Sequence, residues 1–237
     1  MFIAYSGVKT YVPNLLSRKF PQKPTWLSRL FGLTGVIVVL VTLAGVTGFA
    51  LWPRSPANVV TAGTATKADL LQRWQAGEVI ALVRHTERCD RSTNPCLGPA
   101  DGITQAGSVA AAAVGQGFLR LGVTQTDVLS SPVTRTAQTS HYMFGKDAMT
   151  QDWLATCGKT LRNDVVARKV AHRNLVLVTH SGCIHEFEAQ TGFKHVKKSE
   201  YGSSLFVSIS ADGKLQVLGI VNANDWDSLL SEKQVGQ

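Results

Sequence analysis

The amino-acid sequence predicts a three-layer α/β/α domain that follows an N-terminal transmembrane helix. From residue 68 onward, short apolar runs of the kind that form buried strands alternate with longer segments of helical pattern. This alternation is typical of a sheet with helices packed on its faces. Before it, residues 33–52 contain no charged side chain. With 237 residues, the chain has room for one such domain and some additional segments.

The N-terminal segment has the length and the flanking charge of a membrane anchor. Twenty helical residues rise about 30 Å, which matches the hydrocarbon core of a bilayer. Residues 1–29 carry five Lys or Arg and no acidic residue, so this basic arm is expected to stay in the cytoplasm. Residues 30–52 are therefore predicted to be a transmembrane anchor, followed by a linker at 53–67 and the folded domain at 68–237.

A cleavable signal segment is the main alternative for residues 30–52. Gly48-Phe49-Ala50 offers a small-x-small cleavage site. The apolar run, however, exceeds the roughly 7–15 residues usual for a signal peptide, and the basic arm before it is long. A buried core helix would explain neither the length nor the one-sided charge. We favour the uncleaved anchor, and both the anchor and the signal segment place the following domain outside the cytoplasm.

The positive charge of the chain is concentrated at its N-terminal end. Seven of the 24 Lys and Arg residues lie in residues 1–67, which contain no Asp or Glu. The remaining 17 nearly balance the 16 acidic residues, so the domain itself is close to neutral. A sequence pI near 9.5 is compatible with nucleic-acid binding, but the neutral domain argues against a nucleic-acid partner.

Local patterns justify each predicted element. A continuous apolar run at 79–83 predicts the first buried strand, and Thr104 suits the N-cap of an alanine-rich helix that extends to about residue 121. Pro132 is predicted to lie in the first turn of a helix that ends near residue 144. The remaining predicted elements are helices at 67–76, 164–172 and 183–190, and strands at 128–130, 175–178, 205–209 and 215–221, the last two forming a hairpin.

The first strand leads directly into the most informative residues of the chain. The apolar run at 79–83 ends in Arg84-His85, so the strand is expected to deliver a guanidinium and an imidazole to its carboxyl end. Ligands bind at that end in open α/β sheets. An imidazole surrounded by arginines suits attack on a phosphoryl group, because guanidinium groups bind phosphate oxygens in pairs and help to keep the imidazole neutral.

These residues resemble a known signature. Arg84-His85 followed by Glu87 resembles the Arg-His-Gly motif of the histidine phosphatase superfamily, whose domains are phosphoglycerate mutase-like. Three further segments resemble motifs of the superfamily in the expected order: Ile-Thr-Gln-Ala-Gly at 103–107, Ser-Ser-Pro-Val-Thr-Arg-Thr-Ala-Gln-Thr at 130–139 and Val-Thr-His-Ser-Gly at 178–182. Within the superfamily, residues 88–96 closely resemble the lipopolysaccharide core heptose(II)-phosphate phosphatase family, and the resemblance covers roughly residues 68–222.

The resemblance implies a role for each matching residue. It implies that His85 is the nucleophile that forms a phosphohistidine, and that His180 is the second histidine of the pocket. Arg84 and Arg135 match the two phosphate-binding arginines, and Arg88 matches a third arginine that some members carry. The alternatives are a structural histidine at position 85 and an ion pair of Arg88 with Glu87 or Asp90. No cofactor or metal is implied, because arginines can supply the positive charge that phosphoryl transfer needs.

Two positions depart from the motifs. Thr86 replaces the glycine of the signature, which adds a β-branched side chain beside the pocket, although its hydroxyl could contact the phosphate. A sugar phosphate also has a poor leaving group, so a general acid is expected. The segment from which some members take a glutamate has no clear equivalent here. Glu87, Asp90 and Asp152 are the remaining candidates for this proton donor.

The four cysteines agree with a domain outside the cytoplasm, where disulfides form. Four cysteines allow three pairings. We favour Cys89–Cys96, which closes a short loop beside His85, and this leaves Cys157–Cys183. A zinc site at 180–185, built from two histidines and Cys183, is disfavoured because an oxidising compartment does not keep thiols free and no Cys-x-x-Cys pair is present.

The sequence thus favours one function over two alternatives. The leading hypothesis is an enzyme on the periplasmic side of the inner membrane, anchored through residues 30–52, that dephosphorylates heptose of the lipopolysaccharide core. The substrate follows from the resemblance alone. A broad-specificity periplasmic phosphatase is the same-class alternative. Because position 86 and the general acid depart from the motifs, a catalytically weak phosphate-binding module is the alternative of a different class.

Overall fold

The computed structural model describes residues 25–50, 55–194, 196–210 and 213–231, and the chain divides into two units, residues 1–52 and 53–237. In the first unit it describes one helix, α1 (Thr25–Ala50). Among the described residues, no helix combines the length and the hydropathy that a membrane span requires. The predicted transmembrane helix at 30–52 therefore stays a prediction. Residues 1–24 of the basic arm lie outside the described residues.

The second unit is built on a mixed sheet of six strands in the order β3-β2-β4-β1-β5-β6. β1 pairs in parallel with β4 on one side and antiparallel with β5 on the other. All six residues of β1 and of β4 are buried, as expected for central strands that are covered on both faces. The strands are β1 (Val79–Arg84), β2 (Thr126–Ser130), β3 (Met149–Thr150), β4 (Asn174–Thr179), β5 (Ser204–Ile209) and β6 (Leu215–Val221).

Helices cover both faces of this sheet, so the predicted three layers are present. Side chains alternate along β1: Val79, Ala81 and Val83 join one apolar cluster, and Ile80 and Leu82 join the other. The first cluster includes residues of α2, α3, α4 and α8, and the second includes residues of α5, α6 and α7. The helices are α2 (Thr64–Gln75), α3 (Gln105–Leu121), α4 (Thr134–Phe144), α5 (Trp153–Thr156), α6 (Leu161–Arg168), α7 (Ser181–Gln190) and α8 (Trp226–Leu230).

The tightest helix contact lies between α3 and α4. A Cβ atom at Gly115 would lie 2.0 Å from the backbone oxygen of Met143, so only glycine fits at this position. As predicted, Thr104 caps α3, because its hydroxyl accepts a hydrogen bond from the amide of Gly107 at 2.8 Å. Gly115 thus allows the close packing of α3 against α4.

The predicted linker at 53–67 is wrong for most of its length. Asn58 bridges to Ile220 of β6, its side-chain amide donates to Asp225 at 2.6 Å, and Val59 is fully buried in the core. Small residues and prolines give this segment the composition of a linker. The Val59 side chain and the Asn58 amide nevertheless attach it to the folded domain. The helix that follows begins at Thr64 rather than at residue 67.

Smaller differences concern helix ends and short elements. α4 begins at Thr134 with Val133 as its N-cap, so Pro132 precedes the helix instead of lying in its first turn. α6 spans residues 161–168 rather than 164–172, because the backbone becomes extended at the C-cap residue Lys169, where ψ is 117°. The predicted hairpin of the last two strands is confirmed by the antiparallel pairing of β5 with β6.

Candidate active site

Two histidines follow the carboxyl ends of the two central parallel strands. β1 and β4 are in register, with Arg84 opposite Thr179, so the next residues, His85 and His180, emerge side by side. The amide of His85 donates to the Thr179 carbonyl at 2.9 Å, and the two imidazole centroids are 5.4 Å apart. The parallel pairing thus brings together two histidines that are 95 residues apart in the sequence.

The His85 imidazole is buried and has a defined tautomer. Its exposed fraction is 3%, and Nδ1 lies 2.7 Å from the backbone oxygen of Thr86. Because a carbonyl oxygen can only accept, Nδ1 carries the hydrogen and Nε2 keeps a free lone pair. The pKa of His85 is lowered to about 3, mainly by burial and also by the nearby His180, Arg135 and Arg84, against the opposing effect of the Thr86 carbonyl. The ring is therefore neutral and able to act as a nucleophile.

His180 is the N-cap residue of α7, and its ring contacts Ser131, which was not predicted to belong to the site. The hydroxyl of Ser131 lies 3.0 Å from Nε2 of His180. Burial, followed by the charges of Arg135 and two further arginines, lowers the pKa of His180 to about 4. Ser131 belongs to the motif at 130–139, and this membership is the sequence signal that could have identified it as a site residue.

The Arg84 guanidinium lies between a backbone carbonyl and an aromatic ring. Nη1 donates to the Ser199 carbonyl at 2.5 Å, and the guanidinium carbon lies 3.8 Å from the ring centroid of Tyr201. The same ring is 5.7 Å from the centroid of His85. Burial lowers the pKa of Arg84, and Tyr201 opposes this shift. Sequence reasoning missed Tyr201, which belongs to no motif and reaches the site from the segment that precedes β5.

Arg135 comes from the first turn of α4, and burial lowers its pKa, as does the charge of Arg88. Arg88 itself forms a two-pronged ion pair with Asp90, in which Nε and Oδ1 are 2.7 Å apart. The alternative that the sequence left open for Arg88, an ion pair with Asp90, is thus the one observed. The charge of Arg88 nevertheless influences the site, because it is one of the charges that lower the pKa of His180.

Three buried nitrogen atoms of this site have no hydrogen-bond partner among the described residues. They are Nε of Arg84, Nε of Arg135 and Nδ1 of His180. Buried polar groups in folded proteins are normally paired, so unpaired nitrogens at a shared site indicate a place for a ligand. Two of the three belong to guanidinium groups, and these favour an oxyanion such as phosphate.

The Thr86 hydroxyl does not face the ligand position that the three unpaired nitrogens indicate. Its side chain is 1% exposed, and its hydroxyl lies 3.3 Å from that of Thr139, which also accepts a hydrogen bond from the Thr86 amide at 3.1 Å. Thr139 in turn donates to the Arg135 carbonyl at 2.7 Å. The residue that replaces the motif glycine therefore links the segment after β1 to α4.

The three candidate proton donors are placed differently. Glu87 accepts hydrogen bonds from Asn94 at 2.8 Å and Thr104 at 2.7 Å, and these lower the pKa of its carboxyl. Asp90 is exposed, and its hydrogen bond from Arg88 lowers its pKa. Both groups are thus stabilised as carboxylates. Asp152 is exposed before α5 and makes no hydrogen bond to either histidine among the described residues.

The four cysteines form two disulfides, Cys89–Cys96 and Cys157–Cys183, with no free cysteine among the described residues. The first closes the loop that follows His85. The second connects α5 with α7, the helix that begins after His180. Because Cys183 is bonded to Cys157, it offers no thiolate to a metal, and the zinc alternative at 180–185 loses its sulfur ligand.

Comparison with known proteins places the chain in a family. No protein-family model matches the chain. The lipopolysaccharide core heptose(II)-phosphate phosphatase of Escherichia coli O1:K1 is 32% identical over 152 residues, which are 63% of this chain and 73% of that protein. The protein of the same name from the Crooks strain of Escherichia coli is 32% identical over 154 residues, 62% of this chain and 74% of that protein.

Among solved structures, the protein histidine phosphatase SixA complexed with tungstate is 15% identical with a TM-score of 0.49, over 62% of this chain and 98% of that chain. Phosphoserine phosphatase of Entamoeba histolytica, in complex with 3-phosphoglyceric acid, is 13% identical with a TM-score of 0.49, over 61% of this chain and 96% of that chain. By its identity to the Escherichia coli proteins, the chain belongs to the lipopolysaccharide core heptose(II)-phosphate phosphatase family and is a phosphatase of the histidine phosphatase superfamily.

Proposed function

We propose that the protein hydrolyses a sugar phosphate monoester through a phosphohistidine formed on Nε2 of His85. The unpaired buried nitrogens of Arg84, Arg135 and His180 around a neutral imidazole carry this proposal. A phosphoryl group bound there would pair these nitrogens and would lie in front of the nucleophile. The catalytically weak binding module is disfavoured, because Nε2 keeps the lone pair that attack requires.

The reaction proceeds in two displacements at phosphorus. In the first, Nε2 of His85 forms a bond to phosphorus while the bond from phosphorus to the ester oxygen breaks, and the sugar leaves after it gains a proton. In the second, water attacks phosphorus, the phosphorus–nitrogen bond breaks, and inorganic phosphate leaves with His85 neutral again. Arg84 and Arg135 neutralise charge on the phosphoryl oxygens in both steps, and His180 contributes a further polar contact.

Glu87 and Asp90 are poor donors for the proton that the leaving sugar requires. Both carboxyls accept hydrogen bonds that lower their pKa and stabilise the carboxylate form. The Asp152 carboxyl accepts no such hydrogen bond among the described residues, so it is the candidate that we propose to test. Its exchange for Asn would lower the rate for a sugar phosphate more than for p-nitrophenyl phosphate, whose leaving group needs no proton.

The proposed substrate is a phosphorylated heptose of the lipopolysaccharide core. This identification is supported by the name and 32% identity of the Escherichia coli relatives. A broad-specificity phosphatase would release phosphate from many sugar esters at similar rates. Comparison of kcat/KM for heptose-phosphorylated lipopolysaccharide with kcat/KM for small sugar phosphates therefore separates the two.

The proposed location is the periplasm, with a single-pass anchor at residues 30–52 in the inner membrane. Both disulfides support an oxidising compartment, and the uncharged run with its basic arm supports the anchor. Membrane fractionation together with N-terminal sequencing of the mature protein tests this. Recovery in the soluble periplasmic fraction, with a new N-terminus near residue 50, would replace the anchor with a cleaved signal segment.

The test of the activity is phosphate release by the full chain in detergent, from heptose-phosphorylated lipopolysaccharide, with His85→Ala alongside. His185→Ala is the matched control, because His185 is exposed on α7 and matches no motif. Release that is lost in His85→Ala and kept in His185→Ala supports the proposal. Acid-labile, base-stable phosphate on the wild-type chain would support the phosphohistidine. Release that persists in His85→Ala would overturn both.

A further inference from the structure

A polar groove lies along the loop that follows the nucleophile. Its volume is about 590 Å³, and it is lined by Glu87, Asp90, Arg91, Ser92, Thr93 and Asn94. A groove of this size accommodates a sugar unit. We propose that it is a second anion-binding subsite, in which Arg91 binds a phosphate or carboxylate group that the substrate carries besides the phosphate to be removed. This inference rests on the proposed phosphatase function and deepens it, since it selects substrates with two anionic groups.

The charges around the groove single out Arg91. The Arg88 guanidinium is committed to Asp90 through two hydrogen bonds. The Glu87 carboxylate is occupied by hydrogen bonds from Asn94 and Thr104. Among the described residues, Arg91 is exposed and makes no ion pair, so its guanidinium is available to an anion in the groove.

The groove that holds Arg91 begins beside the proposed nucleophile, because Glu87, two residues after His85, lines it, and Asp90, which also lines it, is paired with Arg88. The charge of Arg91 also contributes to the lowered pKa of both Arg84 and Arg135. Guanidinium groups that repel one another in the empty site are all stabilised by a doubly anionic ligand that spans them. One molecule can therefore present its reacting phosphate to His85 and its second anionic group to Arg91.

The loop that carries Arg91 is held at both ends. The Cys89–Cys96 disulfide closes it, and Arg91 ends the short 3₁₀ helix at Cys89–Arg91. The amide of Cys89 donates to the Gly102 carbonyl at 3.0 Å, and the amide of Leu97 donates to the Ile103 carbonyl at 3.0 Å. A fixed loop loses little conformational entropy when a ligand binds, so an anion at Arg91 gains affinity from this rigidity.

Binding to the catalytically disabled protein tests the subsite independently of turnover. In the full-length His85→Ala chain, the dissociation constants of fructose 1,6-bisphosphate and fructose 6-phosphate are measured by calorimetry, with and without Arg91→Gln. We expect the bisphosphate to bind about tenfold more tightly than the monophosphate, and Arg91→Gln to remove most of this difference. Arg91→Lys, which keeps the charge, should restore part of it.

Arg168→Gln is the matched control. It removes the same charge from an exposed arginine in the last turn of α6. This helix leads into the amino end of β4, whereas the site lies at the carboxyl end of that strand. The preference for the bisphosphate should survive this change. Equal affinities for the two sugars in the His85→Ala chain, or a preference that Arg91→Gln leaves unchanged, would overturn the subsite whether or not the wild-type protein releases phosphate. If the wild-type chain releases no phosphate but the His85→Ala chain prefers the bisphosphate, the proposed function alone is overturned.

Discussion

The guanidinium carbon of Arg84 lies 3.8 Å from the centroid of the Tyr201 ring, and this ring also lies 5.7 Å from the centroid of His85. A cation over an aromatic face is attracted by the negative charge of that face, and the attraction grows when water is excluded. Arg84 is 5% exposed, so this contact is well shielded. We therefore expect Tyr201 to act as a positioning residue that keeps Arg84, one of the two arginines proposed to bind phosphate, in place.

Removal of the Tyr201 ring should impair the enzyme more than removal of its hydroxyl. We expect Tyr201→Ala to lower kcat/KM about tenfold, which corresponds to a cation–π contact of about 1.4 kcal/mol, because Arg84 loses the surface that orients it. Tyr201→Phe keeps the ring and should retain most of the activity. Steady-state kinetics with p-nitrophenyl phosphate measures both variants. If the two variants lose activity equally, the hydroxyl rather than the ring is what the site requires.

Ser131 is expected to fix the orientation of His180. Its hydroxyl lies 3.0 Å from Nε2, and the serine is fully buried. In Ser131→Ala the imidazole loses this partner, so kcat should fall about tenfold, with a stability loss of about 1–3 kcal/mol for the unsatisfied group. Ser131→Thr keeps a hydroxyl and should recover part of kcat. Unchanged kcat in Ser131→Ala, together with lower stability, would assign Ser131 a purely structural role.

The lowered pKa of His85 should make the folded protein less stable in mild acid. The pKa of His85 is lowered to about 3 from its ordinary value of 6.5. Between these values the unfolded chain binds a proton that the folded chain does not, so the free energy of unfolding falls as pH falls below 6.5. This contribution is about 1.4 kcal/mol per pH unit. It is fully present above pH 6.5 and is lost progressively toward pH 3.

Urea unfolding at pH 7.5 and 5.5 measures this dependence. The wild-type chain should lose more stability between these pH values than His85→Ala does, by about 1 kcal/mol. His185→Ala, which removes an exposed histidine, should behave as the wild type. Equal losses in the wild type and His85→Ala would contradict the lowered pKa.

Glu188 should destabilise the protein at high pH. It is 1% exposed on α7, its Oε2 has no hydrogen-bond partner among the described residues, and burial raises its pKa to about 7. Stability from the neutral carboxyl is present below pH 4.5 and is lost as pH rises to about 7. We therefore expect Glu188→Gln to raise the free energy of unfolding by about 2 kcal/mol at pH 8 and by little at pH 4.5.

The same unfolding measurement checks this variant. Glu186→Gln on the same helix is the control, because Glu186 is only half-buried and accepts a hydrogen bond from Gln190 at 2.8 Å. A Glu188→Gln variant that is no more stable than the wild type at pH 8 would indicate that the carboxylate finds water or a partner when it ionises.

Elements with a strong local pattern could be predicted from the sequence. The apolar runs of β1 and β4 became central strands because unbroken apolar sequence fits a strand that is buried on both faces. Thr104 was recognised as an N-cap from its position before an alanine-rich segment. The motif residues His85 and His180 were brought together, since each directly follows one of two paired parallel strands.

Elements stabilised by distant partners could not be predicted. β3 has only two residues, both exposed, and forms because β2 offers an open edge. The segment around Val59 has the composition of a linker, and only its pairing with β6 reveals that it belongs to the domain. Tyr201 reaches Arg84 because β5 pairs antiparallel with β1, which no local pattern near residue 201 indicates.

The parallel pairing of β1 with β4 separates the proposed reacting groups from the proposed second anion-binding subsite. His85 and His180 each follow a buried strand in the centre of the sheet, whereas Arg91 lies on the loop closed by Cys89–Cys96. The sequence of that loop can therefore change without moving the imidazoles. Descendants of this protein can acquire new phosphate esters as substrates through changes in a few loop residues while the chemistry is inherited intact.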